Sequence, residues 1–519
     1  MWFSGGMVFT LEGEGVLGVL EERLSQVFRV VCRSVKREVW NLYDSKVWTL
    51  WHRGMVLVQR SEEWGLRLRE GNALGEEIFP GLLFNNKKNN FVGLACDFPE
   101  SELQKKLQKL LGYRMLYKAG EIYTHEMEWD VRDAFEKVVV RLWISKPRVS
   151  EQSLIFVKLV PLKGYDQEAM DVETALSELA QGLEDSTGPL SGAFFPRVPD
   201  SIPYELKPEF TFSADDKTRD VLSTVARATL DVARKNEEGI LEDWDTEFLH
   251  DFRISLRRIR SILSSIKGVF PEEELDRWKE SLATMSGNTN QVRDLDVYLL
   301  SQPEMTELLP AEFQEGLNHF FDELKKKRKT AFQKLSRYLK SKEYRQQMEF
   351  LEEAFSQIQE LEETKYSAAP VREQAARRIA KRLQQLLCLA KTVHADVPDE
   401  DIHRIRIVGK KLRYLLEFFG ELFPKEEVKV LSRGLSQLQG QLGDFNDTSV
   451  QQAYLLRYAA GRSIQDPEMA MSLGGLITMI FNKHQVLKRK IIKKFQQLDT
   501  VEDIQIFRKM IKRYYSQKS

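Results

Sequence analysis

Two segments of the chain each carry a histidine followed by basic residues at a spacing that an α-helix would bring together. The first, HDFRISLRRIRS, runs from His250 to Ser261, and the second, HRIRIVGKKLRY, runs from His403 to Tyr414. In a helix, the histidine and the third, seventh and tenth residues after it fall on one stripe about 80° wide. We call these the first stripe and the second stripe. They consist of His250, Arg253, Arg257 and Arg260 in the first segment and of His403, Arg406, Lys410 and Arg413 in the second.

Both stripes carry side chains that suit a polyanion. Guanidinium groups form paired hydrogen bonds with phosphate oxygens, lysine adds a point charge, and histidine beside phosphate gains protonated population. Each stripe extends about 15 Å, which fits a long chain of phosphates better than one small anion. Few aromatic residues are interleaved with the basic positions, so the pattern disfavours single-stranded nucleic acid, which needs stacking platforms.

An ordinary solvated helix face is the alternative interpretation of each stripe. A solvated face usually mixes charge signs, because opposite charges four residues apart attract and like charges repel. Neither stripe contains an acid, and two such stripes in the same register favour function. The opposite face of each helix is apolar and is predicted to be core. The eighth residue after each histidine, Arg258 or Lys411, lies off the stripe, and we predict that it faces solvent.

A second pair of similar segments follows the two histidines in the same order. NQVRDLDV spans 290–297 and GQLGDFND spans 440–447, and we align Asp294 with Asp444. Two matched motifs at nearly equal distances predict an internal duplication, with two related helical bundles about a pseudo-two-fold axis. We expect both aspartates to orient arginines or cap helices rather than touch an anion.

The rhythm of apolar residues divides the chain into two predicted domains. Residues 1–195 mix short aromatic and β-branched runs with helical segments, which predicts an α+β domain. A proline-rich stretch over 196–213 is the predicted linker. Helical periodicity over 214–515 predicts an all-α domain, with duplicated copies over about 214–345 and 370–500.

The composition does not predict a binding partner, but it indicates the cellular compartment. The net charge is −1 over 519 residues, so any basic surface must come from patterning. Three cysteines in no ligand spacing favour a reducing compartment, and the first residues lack the basic segment of a signal peptide. The apolar run over 469–481 is too short to span a bilayer. We expect a cytoplasmic protein without a membrane partner, and the sequence leaves the oligomeric state open.

The helical half resembles the CHAD domain, the conserved histidine α-helical domain. HDFRISLRRIRS, QVRDLDV, IHRIRIVGKKLRYLLEFF and LGDFND carry the resemblance, which covers about 214–500. It implies two pseudo-symmetric four-helix bundles around a basic cavity, binding of inorganic polyphosphate and association with polyphosphate granules. It also implies that the eight stripe residues contact the ligand. Further basic candidates on other helices are Arg227, Arg234, Arg378, Arg382, Lys483, Lys490 and Lys494.

Residues 1–195 resemble the CYTH or triphosphate-tunnel fold, through NLYDSKVWTLWHRGMVLVQRSEEWGLRLREG and PLKGYD. The resemblance implies an antiparallel β tunnel in which acids hold a divalent metal and a lysine meets phosphate. The family's first strand carries Glu-x-Glu-x-Lys, whereas this chain has Glu12 and Glu14 but Val16 in the place of lysine. We therefore expect a degenerate tunnel that has lost catalysis. Mg²⁺ or Mn²⁺ would be a cofactor only if this domain is active, and otherwise we expect no cofactor or metal.

The tunnel resemblance also implies a set of charged lining residues. Glu126, Glu128 and Asp130 alternate along one predicted strand and would suit Mg²⁺, although an exposed strand face explains the same alternation. The candidate basic groups are Arg53, Arg60, Arg67, Arg69, Arg114 and Arg141.

Three functions follow from these patterns. The first is a polyphosphate-binding protein that holds its ligand without chemistry, because no nucleophile–base pair or metal cluster is visible among the stripe residues. The second is a metal-dependent triphosphatase or polyphosphatase in the first domain, against which the missing lysine argues. The third is a binder of nucleic acid or acidic protein.

Overall fold

The computed structural model describes residues 7–13, 15–60, 62–70, 73–83, 92–147, 154–180, 205–206, 208–460 and 466–496. The chain forms two compact units, Met1–Pro203 and Tyr204–Ser519. The predicted linker, 196–213, spans the division between the units, and its residues 196–204 and 207 lie outside the described ranges. The end of the predicted helical domain, 497–515, also lies outside them, so the predicted domain boundaries stay predictions.

The first unit is built on one sheet of eight strands in the order β1-β8-β7-β6-β2-β3-β4-β5. Every neighbouring pair runs antiparallel, which confirms the α+β class predicted for this half. The strands are β1 (Met7–Glu12), β2 (Arg29–Asp44), β3 (Met55–Arg60), β4 (Glu63–Glu70), β5 (Ala73–Leu83), β6 (Tyr117–Arg132), β7 (Val138–Pro147) and β8 (Leu154–Pro161). The accompanying helices are α1 (Val16–Leu24), α2 (Glu102–Leu111) and α3 (Asp166–Ala180).

Alternation along the long strand β6 gives the two faces of the sheet different characters. On one face, Trp129 and Val131 join an apolar core that includes Val172 of α3. The intervening residues, among them Glu126 and Glu128, point to the other face and are buried there. Over the described residues the strand pairing runs from β1 to β5 and does not join these two edge strands. Closure of the sheet into a tunnel therefore stays a prediction.

The described part of the second unit is helical, because apolar residues recur at three and four along each segment. In the stripe-bearing segment, for example, Phe252, Leu256, Ile259 and Leu263 are all buried. The helices are α4 (Thr218–Lys235), α5 (Glu237–Leu241), α6 (Thr246–Leu263), α7 (Glu272–Leu300), α8 (Gln302–Glu307), α9 (Gln314–Leu339), α10 (Lys342–Ser356), α11 (Val371–Lys391), α12 (Asp399–Phe419), α13 (Lys425–Ala460) and α14 (Pro467–Gln496).

The two stripe helices of the second unit have similar packing neighbours. Helix α6 packs between α4 and α7, and helix α12 packs between α11 and α13. The starts of α4 and α11 exchange backbone hydrogen bonds, from Thr218 N to Ala369 O and from Val371 N to Asp216 O, each 2.9 Å long. This exchange is reciprocal, which is compatible with the predicted two-fold relation between the copies. The pseudo-two-fold axis stays a prediction that these bonds support.

No helix within the described ranges has both the length and the apolar character needed to cross a membrane. The apolar run over 469–481 lies in α14 and buries one side of that helix, through Met469, Leu473, Leu476 and Ile480.

Candidate anion-binding site

Helices α6 and α12 carry the two stripes, and both begin at defined points. The carboxylate of Asp245 caps α6 by accepting hydrogen bonds from the backbone N–H groups of Glu247 (2.9 Å) and Phe248 (3.4 Å). Helix α12 starts directly after Pro398. The apolar face predicted for each segment is confirmed as buried. Its members are Phe252, Ile259, Ile262, Leu263 and Ile266 after the first histidine, and Ile405, Leu412, Leu415, Leu416 and Phe419 after the second.

The two stripes meet at one pocket with a volume of about 400 Å³. Helix α6 contributes Arg257 and Arg260, and helix α12 contributes Lys410. The other lining residues are Ser261, Ser264, Ser265, Lys279, Arg382, Ile407, Lys411, Tyr414 and Leu415. Every charged side chain among these described lining residues is a cation, so the pocket has the electrostatic character of an anion site.

The cations around this pocket crowd one another. The pKa of Lys410 is lowered to about 8, chiefly by burial. The charges of Arg406, Arg257 and Arg413 lower this pKa in the same direction, and the carboxylate of Asp447 opposes them. Because Arg257 belongs to α6 and the other cations to α12, the crowding extends across both stripes. Like charges held together in this way destabilise the empty site, and an anion would relieve the repulsion.

Arg253 is anchored to the neighbouring helix α7. Its guanidinium donates to Ser286 O (3.0 Å), to Asn290 Oδ1 (2.7 Å) and to Thr289 Oγ1. Burial lowers the pKa of Arg253, and the nearby carboxylate of Asp294 opposes that shift. Asp294 thus faces an arginine, as predicted, and Arg253 supports the geometry of α6 against α7.

The two histidines occupy the first position of each stripe, beside the pocket rather than in its wall. His250 is half-buried on α6, and His403 is exposed on α12. The Nδ1 atom of His403 lies 2.9 Å from Asn446 Oδ1, which fixes the orientation of the ring. Neither histidine belongs to the pocket wall that the described residues form.

The prediction that Arg258 faces solvent is wrong. Its side chain is 2% exposed and lies 3.9 Å from the carboxylate of Glu417 on α12. Its guanidinium also lies 4.9 Å from the ring of Phe418 and donates to the backbone oxygen of Leu206 (3.5 Å). The same Glu417 carboxylate is 3.8 Å from Nε of Arg413 in the second stripe. Arg258 is buried because α12 and the segment at Leu206 pack over this side of α6, and it links the two stripe helices.

Asp447 has the kind of charge interaction with a stripe arginine that Asp294 has, and the alignment of Asp444 with Asp294 stays a prediction. Asp447 is separated from Asp294 by the same number of residues that separates His403 from His250. It faces Arg406, whose pKa is lowered by burial and raised by this carboxylate. The sequence GDFND contains two aspartates three residues apart, and the motif alone does not decide between them.

Of the further basic candidates, the structure brings Arg382 into the pocket wall. Arg378 lies one turn earlier on α11, where it donates to the backbone oxygen of Lys267 (3.4 Å). Sequence reasoning missed Lys279, which lines the pocket. Lys411 is exposed, as predicted, and also lines the pocket. Ser264 was also missed, yet extending the helical projection of the first stripe by one turn places it on the same side.

The remaining basic candidates lie elsewhere on the second unit. Arg234 pairs with the carboxylate of Glu352 (3.1 Å) and is thereby neutralised. The others do not belong to the described pocket wall. They are the exposed Arg227, Lys483 and Lys490 and the half-buried Lys494.

The acids proposed for metal binding in the first unit have protein partners. Glu126 accepts a hydrogen bond from the Ser145 hydroxyl (2.8 Å), and burial raises its pKa. Asp130 accepts one from Nε of Arg141 (3.3 Å). These side chains do share one face of β6, as predicted, but each is already engaged.

Opposite charges also pair elsewhere on this sheet. Arg60 donates to Glu38 from Nε (3.1 Å) and from Nη2 (2.6 Å), and Arg33 donates to Glu128 (2.9 Å). The remaining basic candidates are the exposed Arg53, the buried Arg67 and Arg114, and Arg69, whose side chain lies outside the described residues.

The incomplete Glu-x-Glu motif noted in the sequence begins at the end of the first strand. Glu12 ends β1, Glu14 lies outside the described residues, and Val16 begins helix α1. Over the described parts of both units, the carboxylates and histidines close enough to share a metal ion are Glu315, His319 and Glu468 of the second unit. All three are exposed.

Comparison with known proteins identifies the helical region. Residues 224–456 match the family model of the CHAD domain, a family associated with polyphosphate binding. The chain is similar to the crystal structure of the CHAD domain from the plant Ricinus communis, at 22% identity over 59% of this chain and 96% of that chain, with a TM-score of 0.45. It is also similar to PptA from Streptomyces chartreusis, at 17% identity over 54% of this chain and 99% of that chain, with a TM-score of 0.40. No curated protein matches the chain. Both stripes lie inside the matched range, and residues 224–456 of this protein are a CHAD domain.

Proposed function

We propose that this protein binds inorganic polyphosphate in the pocket between α6 and α12. The observation that carries the proposal is the convergence of both stripes on one pocket whose described charged residues are all cations. The CHAD domain at 224–456 supports the same ligand, because its family is associated with polyphosphate binding.

The binding chemistry would be non-covalent. Arg257, Arg260 and Lys410 would donate charge-assisted hydrogen bonds to the non-bridging oxygens of the chain, each worth about 1.5–3 kcal/mol. Serine hydroxyls at the C-terminal end of α6 would add neutral donors. A longer chain would continue past the pocket toward His250 and His403, whose protonated forms a neighbouring phosphate favours. Affinity should fall steeply with added salt, because binding releases the counterions of the polyanion.

The proposed setting is the cytoplasm, with the protein on polyphosphate granules. The ligand itself suggests this location, because a protein that holds long polyphosphate chains would concentrate where those chains accumulate. Fluorescence imaging of the tagged protein beside a polyphosphate stain would test it, and a diffuse signal in granule-containing cells would contradict it.

The test of the proposed ligand is a titration of long-chain inorganic polyphosphate against the wild type and the double variant Arg257→Glu with Lys410→Glu. Two reversed charges should lower the affinity by roughly 100-fold or more, since two charge-assisted contacts become repulsive. The matched control is Lys334→Glu with Lys429→Glu, which makes the same charge change at exposed positions on α9 and α13.

The control variant should bind close to wild type. Equal affinity of the wild type and a folded pocket variant would refute the proposal. RNA that competes with polyphosphate at physiological salt would instead indicate a general polyanion binder. Phosphate released from tripolyphosphate with Mg²⁺ or Mn²⁺ would indicate hydrolysis.

A further inference from the structure

Lys410 differs in chemistry from the other residues of the two stripes. It is the only lysine in the two stripes, whose other members are arginines and histidines. Arginine keeps its charge at every pH a protein tolerates, whereas a lysine can give up its proton when burial or like charges disfavour the ammonium form. Lys410 lies in the middle of α12 and is half-buried in the pocket wall. Both burial and neighbouring positive charges therefore act on its ammonium group.

The groups that face Lys410 come from several helices. On α12 itself, Arg406 and Arg413 lie one turn before and one turn after it. Across the pocket is Arg257 of α6, and α13 contributes the carboxylate of Asp447, the acid that acts on Lys410. The other charged or titratable residues of the described pocket wall are Arg260, Lys279, Arg382, Lys411 and Tyr414. Cations therefore dominate around this ammonium group, and burial together with their charge lowers its pKa to about 8.

We propose that the pocket takes up a proton on Lys410 when it binds a polyanion, so that it releases its ligand as the pH becomes mildly alkaline. The inference rests on the proposed function and adds a means of regulation to the same site. In the empty pocket, the crowding of cations favours neutral lysine. Phosphate oxygens in the pocket reverse that environment and favour the ammonium form.

The direction of the pH dependence follows from linkage. Below about pH 7 Lys410 is protonated both with and without ligand, so its contribution to affinity is constant. Above about pH 8 a growing majority of the empty sites has lost the proton and must regain it on binding. Affinity should then fall by up to about tenfold per pH unit, the slope expected for one proton.

The test measures the affinity for long-chain inorganic polyphosphate between about pH 7 and pH 9.5 at fixed ionic strength. Wild type should weaken above pH 8. Lys410→Arg keeps its charge throughout and should give a flat profile over the same range. Lys334→Arg, an exposed lysine on α9, should follow the wild-type profile. Calorimetry of wild type at pH 8.5 in two buffers of different ionisation enthalpy should show uptake of up to about three-quarters of a proton, the deprotonated fraction of the empty site at that pH.

The outcomes separate this inference from the proposed function. If wild type binds tightly at pH 7 but Lys410→Arg shows the same pH profile, or no proton is taken up, the proton coupling is refuted while the proposed ligand stands. If wild type does not bind polyphosphate at pH 7, both are refuted. Lys410→Met serves as the second variant, and its profile should also be flat.

Discussion

The sheet of the first unit and the pocket of the second unit arrange their charged side chains in opposite ways. On the sheet of the first unit, Arg60 donates twice to Glu38, and Arg141 donates to Asp130. In the pocket of the second unit, Arg257 and Lys410 face each other among further cations. The first arrangement is neutral within itself, and the second gathers charge of one sign.

This difference in charge arrangement indicates which unit is suited to bind an anion. A pair of opposite charges satisfies its own hydrogen-bonding needs, so it requires no ligand to be stable. Cations gathered in a pocket repel one another, and sequences usually carry such a cost at functional sites. The comparison therefore favours the helical pocket over the sheet as the site of the proposed polyphosphate binding.

The largest expected effect is a loss of stability on replacing Arg258, which is buried beside Glu417 in the second unit. Arg258→Met should lower the free energy of unfolding by about 2–4 kcal/mol, because it removes the buried partner of Glu417 and the link between α6 and α12. Urea unfolding followed by far-ultraviolet circular dichroism would measure this loss.

The control for Arg258 is the corresponding residue of the second segment. Lys411 is exposed, so Lys411→Met should change the free energy of unfolding by less than about 0.5 kcal/mol. Equal effects of the two substitutions would show that Arg258 does not act as a buried link.

Two further substitutions, one in each unit, should change the free energy of unfolding by smaller amounts and in opposite directions. Without ligand, Lys410→Met should raise the free energy of unfolding by about 0.5–1 kcal/mol, because it removes repulsion with Arg406 and Arg257. Glu38→Gln in the sheet should lower it by about 1 kcal/mol, because Arg60 loses its charged acceptor. Urea unfolding, with tryptophan fluorescence to follow the sheet, would compare them.

The pH dependence of the free energy of unfolding provides a further check on Lys410→Met. The pKa of Lys410 in the folded protein, about 8, lies below its ordinary value, so the unfolded chain binds more protons between these values. Stability of the ligand-free wild type should therefore rise from about pH 8 toward pH 10, and this rise should be absent in Lys410→Met. A loss of stability on removing Lys410 would contradict the repulsion inferred for the pocket.

Local periodicity predicted much of the site. The spacing of the basic residues placed Arg257, Arg260 and Lys410 on the sides of α6 and α12 that meet at the pocket. The same projection placed Phe252 and Leu412 in the core. These predictions succeeded because helical geometry alone fixes which residues of one segment share a side.

Tertiary packing explains what the sequence could not predict. Arg258 lies off the first stripe, but α12 covers it, and no pattern within one helix reveals that neighbour. Lys279 reaches the pocket from α7, a helix whose approach to α6 depends on the whole bundle. In the first unit, the strand alternation of Glu126 and Asp130 was predictable, whereas their pairing with Ser145 and Arg141 depended on the register of β6 against β7.

The most direct test of the central claim is a crystal structure of the protein with a polyphosphate chain of defined length. The expected result is a row of phosphates between α6 and α12, with oxygens within hydrogen-bond distance of Arg257 and Lys410 and without any phosphate on the paired charges of the sheet. Phosphates bound only to exposed lysines outside the pocket, or to the sheet of the first unit, would contradict it.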